Sequence, residues 1–188
     1  MTLRTFATLF FAVSLATPVV AQEPGATLPE VNAAATAQAP GILPADQAAK
    51  ILPSTVFFRG QSAPIQGRNS AGVRFPDQML LLVALVDTSG YSSQVQSKYQ
   101  AYFITESPLE IDGHRLAPGA YGCGFLGGDS FIVQDLGAHD LFTAKAVTDP
   151  GLHRPRPLQI VAASGAKDTY RLYAGRTYVT LQAAIPTT

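Results

Sequence analysis

From Ser54 onward the chain is a series of short β-branched and aromatic runs separated by turn residues, a pattern typical of an all-β fold. The clearest turn is Asp112-Gly113, which lies between the runs Tyr102–Ile111 and His114–Phe125. Both central residues of a type I′ turn need positive φ, so Asp-Gly at this place predicts a β-hairpin. Further turns at 127–130 and 137–140 predict that the chain continues as an antiparallel meander.

Counting the later runs, the chain holds nine or ten predicted strands, whose spacing predicts a single antiparallel β-sandwich or partly closed barrel. The continuous apolar run Met79–Val86 predicts a central strand that is buried on both faces. The segment Ala63–Arg68 contains Pro64, which predicts an edge strand because proline donates no backbone hydrogen bond.

One short helix is predicted before the strands begin, over Pro44–Leu52. Proline suits the first turn of a helix, and Pro53 cannot continue one. The apolar face of this helix is predicted to consist of Leu43, Ala48, Ile51 and Leu52.

The segment Met1–Ala21 has the three parts of a secretory signal peptide. Arg4 supplies the positive charge, Thr5–Val20 is apolar and uncharged, and small residues precede Gln22, the predicted first mature residue. The uncharged run has 16 residues, which is short against the roughly 20 that a membrane-spanning helix needs. We therefore predict an exported protein, periplasmic or extracellular, with no membrane span after cleavage.

Residues 22–41 are rich in alanine and proline and almost lack large apolar side chains, so this segment is predicted to be a flexible leader. No later change of composition indicates a second boundary. Residues 42–188 are therefore predicted to form a single β domain.

The composition narrows the range of partners. Charged residues make up 14% of the chain and its formal net charge is zero, against about 25% charged residues in an average domain. Nothing in this balance indicates a nucleic-acid partner, and no motif indicates a cofactor. A neutral ligand or a protein partner is expected instead.

Cys123 is the single cysteine of the chain, so no disulfide can form within it. Its neighbours are apolar residues and glycines, and no cationic residue lies close in sequence to activate the thiol. We expect Cys123 to be a small buried hydrophobic residue.

Few residues are spaced for catalysis. Gly128-Asp129-Ser130 is similar to the serine motif of hydrolases, but the base and the orienting group are not both supplied, and a hairpin turn explains the three residues. Asp135, His139 and Asp140 lie around one turn and could supply oxygen and nitrogen ligands to a metal. These three residues carry the alternative hypothesis of a hydrolase or metal-dependent enzyme.

Two segments are candidates for ligand binding. Tyr91, Gln94 and Tyr99 could stack on and hydrogen-bond a neutral sugar or peptide if the two tyrosines are exposed. Alternatively, the spacing of Tyr91, Val95 and Tyr99 is that of a short helix docked on the sheet. The basic segment His153–Pro157 could hold one anionic group or form a solvated loop.

The run from Ile111 to Gly122, with its leucine, alanine, proline, glycine and tyrosine at positions 116–121, resembles a strand–turn–strand phrase of uncharacterised exported bacterial proteins. The resemblance covers about a dozen residues of the chain. It implies a β domain and brings no activity, ligand or catalytic residue with it.

These observations together predict an exported, non-catalytic binding or interaction domain. The alternative is the enzyme that would use His139 with Asp135 or Asp140. A third class is a structural subunit that pairs an edge strand with a partner, for which Ala63–Arg68 would be a poor template because of its proline.

Overall fold

In a computed structural model, the chain is described from residue 38 to 127 and from 129 to 184. The predicted signal peptide, residues 22–37 of the predicted leader and Gly128 lie outside the described residues. The described part of the leader ends in a strand, because Gly41 begins β1 and lies opposite Arg74.

The described residues form fourteen strands and two short helices. In chain order these are β1 (Gly41–Leu43), α1 (Ala45–Ile51), β2 (Thr55–Phe58), β3 (Gln61–Arg74), β4 (Leu80–Val86), α2 (Ser93–Lys98), β5 (Ala101–Thr105), β6 (Leu109–Ile111), β7 (His114–Leu116), β8 (Gly119–Leu126), β9 (Ser130–Gln134), β10 (Asp140–Lys145), β11 (Val147–Thr148), β12 (Arg156–Ala162), β13 (Thr169–Gly175) and β14 (Thr177–Ala183).

The strands form two antiparallel sheets, which confirms the predicted all-β sandwich. The first sheet has the order β1-β3-β4-β5-β8-β9-β10, with β2 paired to β3. The second has the order β12-β13-β14-β6-β7, with β11 paired to β14. Within the described residues the sheets do not close into a barrel.

The main core lies between the two sheets. Strand β4 contributes Leu81 and Val83 to it, whereas Leu82 and Ala84 on the same strand face the other way. Both faces are therefore buried, as the apolar run predicted. The second sheet contributes side chains from every one of its longer strands, among them Ile160, Leu172, Val179, Leu181 and Ile111.

Both helices cover the outer face of the first sheet. Helix α1 packs Ala48 and Leu52 against β4, as predicted, but Ile51 is 45% exposed, so its predicted place on the apolar face is wrong. In the described part of the chain we find no helix with the length and apolarity needed to cross a bilayer.

The prediction that Ala63–Arg68 is an edge strand is wrong. This segment belongs to the long strand β3, which pairs with β4 on one side and with β1 and β2 at its two ends. Pro64 is tolerated because only its carbonyl is needed: it accepts a hydrogen bond from the N–H of Asp87 at 2.9 Å. An irregular stretch between Ile65 and Ser70 then separates the two halves of the pairing with β4.

The Asp112-Gly113 turn has the predicted geometry, with φ of 50° and 80° at the two residues. However, each of the long strands predicted beside it is divided in two. Strands β5 and β8 pair in the first sheet, and β6 and β7 pair in the second. The hairpin changes sheet where Pro108 and Pro118 interrupt the ladders.

Gly124 lies where β8 packs closely against the end of α2. A Cβ atom at Gly124 would lie 2.2 Å from the carbonyl oxygen of Lys98, a backbone atom that cannot rotate away. We expect Gly124→Ala to lower the free energy of unfolding by about 1–3 kcal/mol, the usual cost of overpacking. Urea denaturation of the two proteins measures the difference.

Gly90→Ala is the matched control, because the nearest atom to its added Cβ would be a flexible glutamine oxygen 3.9 Å away. The free energy of unfolding should change by no more than about 0.5 kcal/mol. Equal effects of the two substitutions would contradict the close approach of β8 to Lys98.

Candidate functional site

The loop between β11 and β12, residues 149–155, is called the strap here. A hollow lies between the strap and the second sheet. Strand β11 pairs with β14 and β12 pairs with β13, so the strap passes over the end of the sheet formed by the β13–β14 turn. Asp149 anchors its start. Its N–H donates to the carbonyl of Arg176 at 2.8 Å, and its carboxylate accepts from the Gly151 N–H and the Tyr173 hydroxyl, both at 3.0 Å.

Arg176 is the second anchor of the strap. From the β13–β14 turn, its guanidinium donates to the carbonyls of Pro150 and Leu152 at 3.0 and 2.6 Å. Backbone groups that a surface loop would otherwise leave to water are thus bonded within the protein. The first half of the strap is therefore tied to the sheet from two directions.

Strand register determines which side chains face the strap. Gln159 lies opposite Tyr173, which lies opposite Tyr178, and Val161 lies opposite Arg171. Leu172, between Tyr173 and Arg171, points into the core. Because side chains alternate along a strand, Tyr173, Arg171 and the residues paired with them lie on the outer face of the second sheet. Tyr173 is nevertheless only 2% exposed because the strap covers it.

The tyrosines of this face form a small polar cluster with Arg171. Its guanidinium lies over the ring of Tyr178, 4.6 Å from the centroid, a cation–π contact. A hydrogen bond to Tyr173 raises the pKa of Arg171, and burial raises the pKa of Tyr173. Arg171, Tyr173 and Tyr178 therefore form one connected group beside the strap.

Between the strap and β12 lies an open hollow of about 620 Å³, which we call the strap hollow. The side chains that line it include Leu152, His153, Arg154, Arg156, Gln159 and Val161. A one-residue register shift between Arg156 and Gln159 lets both face the hollow, although an odd spacing in a regular strand would put them on opposite faces.

The side-chain nitrogen Nε2 of Gln159 is buried and has no hydrogen-bond partner among the described residues. A buried amide donor left unpaired costs about 1–3 kcal/mol. Gln159 lines the strap hollow, but its amide nitrogen is closed to water, so an acceptor oxygen on a ligand could supply the missing bond only once the side chain turns toward the hollow.

The strap hollow belongs to a basic stretch of a chain whose net charge is zero. Residues 149–184 hold five of the 13 basic residues and two of the 13 acidic residues, a local net charge of +3. Arg154 and Arg156 are exposed, and within the described ranges neither has a carboxylate at salt-bridge distance. The predicted basic segment thus forms one wall of the hollow.

The expectation that Tyr91 and Tyr99 are exposed on one face is wrong. They are 7% and 0% exposed, and Tyr99 stacks on Phe58 with ring centroids 3.8 Å apart. The alternative, a short helix docked on the sheet, is confirmed by α2, whose Val95 is buried with the two tyrosines. Gln94 is exposed on α2 but lies alone there, without the tyrosine surface it was expected to share.

The structure does not assemble Asp135, His139 and Asp140 into a metal site. Asp135 accepts hydrogen bonds from the backbone N–H of His139 and contacts its Nδ1 at 2.8 Å. Asp140 instead turns to Lys98 and to the amide of Gln134. Across the described residues, no group of three histidine, cysteine or acidic side chains could hold a metal ion.

Cys123 is 1% exposed and belongs to the main core, as predicted. Burial raises the pKa of its thiol to about 12. The thiol is therefore neutral near pH 7 and unsuited to nucleophilic attack.

Sequence reasoning identified the segment His153–Pro157 but missed Gln159 and Tyr173. Alternation along β12 and β13 could have placed both on one face of the second sheet. Nothing in the sequence indicates that the strap covers Tyr173, because that cover depends on the hydrogen bond from its hydroxyl to Asp149.

Comparison of the chain with protein-family models, with curated proteins and with solved structures finds no match. The resemblance of residues 111–122 to exported bacterial proteins stays a prediction. A function for this chain is therefore inferred from the geometry and the charge of the strap hollow.

The two buried tyrosines beside α2 differ in their hydrogen bonds. The Tyr91 hydroxyl lies within hydrogen-bond distance of the carbonyl oxygens of Phe58 and Gln61, at 3.1 and 3.2 Å. The Tyr99 hydroxyl is buried and has no hydrogen-bond partner among the described residues. Tyr91→Phe should lower the free energy of unfolding by about 1 kcal/mol, because it leaves carbonyl oxygens without their donor. Tyr99→Phe should be neutral or stabilising. Chemical denaturation of both variants tests the difference, and a larger loss for Tyr99→Phe would contradict the docking of α2.

Hydrogen bonds from Lys98 and Gln134 hold the pKa of Asp140 below its usual value of 3.8. A lowered folded-state pKa means that this contact stabilises the protein above pH 3.8 and that the contribution is lost as the pH falls through the lowered value. Asp140→Asn should cost at most about 1 kcal/mol at pH 7, because both side chains of the ion pair are largely exposed.

Urea denaturation of the wild type and Asp140→Asn, from pH 7 to pH 2, measures that dependence. Lys98→Gln should reproduce the loss at pH 7 and add little when combined with Asp140→Asn. A difference between wild type and variant that stays constant down to pH 2 would contradict the lowered pKa.

Proposed function

We propose that this chain is an exported, non-catalytic binding domain and that the strap hollow is its ligand site. The observation that carries the proposal is the buried, unpartnered amide nitrogen of Gln159 in a hollow walled by Arg154 and Arg156. A donor buried at this cost, beside two cations that have no carboxylate partner in the described ranges, is expected where a ligand supplies the acceptor.

The chemistry of the lining supports binding rather than catalysis. Its carboxylate, Asp149, already accepts hydrogen bonds at both oxygens. The described lining contains no serine, threonine, cysteine or lysine that could act as a nucleophile. The strap is also bonded at both anchors, as suits a preformed site.

Export is part of the same proposal and rests on the pattern of Arg4, the apolar segment Thr5–Val20 and the small residues before Gln22. A binding domain held in the periplasm or outside the cell would meet its ligand there. The intact mass of the protein recovered from a secreting bacterial host, expressed as the full chain, tests this part: cleavage between Ala21 and Gln22 is expected.

Binding is tested on that recovered protein by amide proton–nitrogen NMR spectra. The probes are glucose, N-acetylglucosamine, dialanine, benzamide, 3-phenylpropionate and inorganic phosphate. At least one of them should shift the signals of the strap and the side-chain amide of Gln159 in a saturable way. Gln159→Met removes the donor but keeps the side-chain length, so affinity should fall about fivefold to tenfold, the worth of one hydrogen bond.

Gln94→Met is the matched control, because Gln94 is an exposed glutamine on α2. It should leave the affinity unchanged. Signals that move around α2 rather than the strap, or a loss of binding in Gln94→Met alone, would overturn the assignment of the site. No saturable shift with any probe would overturn it as well.

A further inference from the structure

The strap hollow presents donors and cations that have no acceptor among the described residues. In the described part of the chain, Arg154 and Arg156 have no carboxylate partner and the Gln159 amide nitrogen has no acceptor, whereas the carboxylate of Asp149 is already engaged at both oxygens. A ligand that satisfies these groups must therefore present oxygen acceptors and negative charge. The net charge of +3 over residues 149–184 favours the same kind of ligand.

Apolar surface adjoins the charged wall of the hollow. Val161 is 38% exposed on the outer face of β12, and the half-buried Leu152 lies on the strap. A ligand that contacts both the arginines and these two side chains must carry an apolar body beside its anionic group. A small inorganic anion would leave this part of the hollow uncovered.

The backbone of the strap argues against a phosphate. Proteins commonly hold phosphate with free backbone N–H groups at helix N-termini or in turns. Here the N–H groups of Asp149, Gly151 and Leu152 already donate within the protein. The first half of the strap therefore offers a phosphate no free backbone donor, and the arginines beside it have planar forks that match the two oxygens of a carboxylate.

We infer that the strap hollow takes an organic carboxylate with an apolar body, its carboxylate bound by Arg154, Arg156 and the Gln159 amide and its body against Val161 and Leu152. This inference rests on the proposed function, because it names the class of ligand for the same site. The register shift in β12 is the feature that aims Arg156 and Gln159 at one carboxylate.

The experiment compares 3-phenylpropionate with 3-phenylpropionamide, which has the same body without the charge. Titrations at pH 7 and low salt, followed by NMR at Gln159 and the strap, give both dissociation constants. The acid should bind at least about tenfold more tightly than the amide, as expected for a charge-assisted contact. Arg154→Gln with Arg156→Gln should remove most of this preference.

Arg59→Gln with Arg68→Gln is the matched control, since both arginines are exposed and neither lines the strap hollow. This variant should keep the preference for the acid, which rules out a general effect of net charge. A preference lost equally in both double variants would overturn the inference, and so would inorganic phosphate that competes as well as the acid does.

The outcomes separate this inference from the proposed function. If the amide binds in the hollow as tightly as the acid, or if a neutral probe binds there and the acid does not, the carboxylate is wrong and the binding domain stands. If no probe shifts Gln159 or the strap, both proposals fall.

Discussion

The structure depends on the burial of the first sheet on both faces. Strand β4 directs Leu81 and Val83 into the space between the sheets and Leu82 and Ala84 into the space beneath α1. Full burial of a leucine or valine contributes about 1.5–3 kcal/mol relative to exposure, so neither face can be left to water. The helices and β2 must cover one side and the second sheet the other, and the order of layers follows from this requirement.

The second sheet needs to be buried on one face only. Its inner face is required for the core, but its outer face has only to be compatible with water, and it carries Gln159, Arg171 and Thr180. On a polar outer face, hydrogen bonds from side chains can hold a short loop in place without apolar packing. Asp149 and Arg176 tie the strap in this way, and the Tyr173 hydroxyl becomes buried with its hydrogen bond satisfied.

This arrangement divides the strap hollow into a buried part and an exposed part. Tyr173 is buried with its hydroxyl bonded to Asp149, so this part of the hollow needs little ordering when a ligand binds. Arg154 and Arg156 are exposed, and ordering each would cost about 0.5–1.5 kcal/mol. We therefore expect reversible binding of modest strength, in which the buried amide orients the ligand and the arginines select its charge.

Much of the architecture could be predicted from local patterns. The Asp112-Gly113 turn, the doubly buried strand β4, the meander of β8, β9 and β10 and the short helix α1 all depend on interactions between near neighbours in the chain. Where the pattern failed, a distant segment decided the outcome. Strand β3 is not at an edge because β1 and β2 pair with it, and the hairpin around Asp112 divides between two sheets.

The sequence by itself determined the class of fold, because the period of apolar residues and the chemistry of turns act over a few residues. It also marked the basic segment 153–157, since charge can be read directly. Only the tertiary structure decided that Tyr91 and Tyr99 are core residues, that Asp135 and Asp140 turn to different partners, and that Gln159 lines the same hollow as Arg154. Those outcomes depend on strand register and on hydrogen bonds between segments far apart in the chain, which local patterns do not encode.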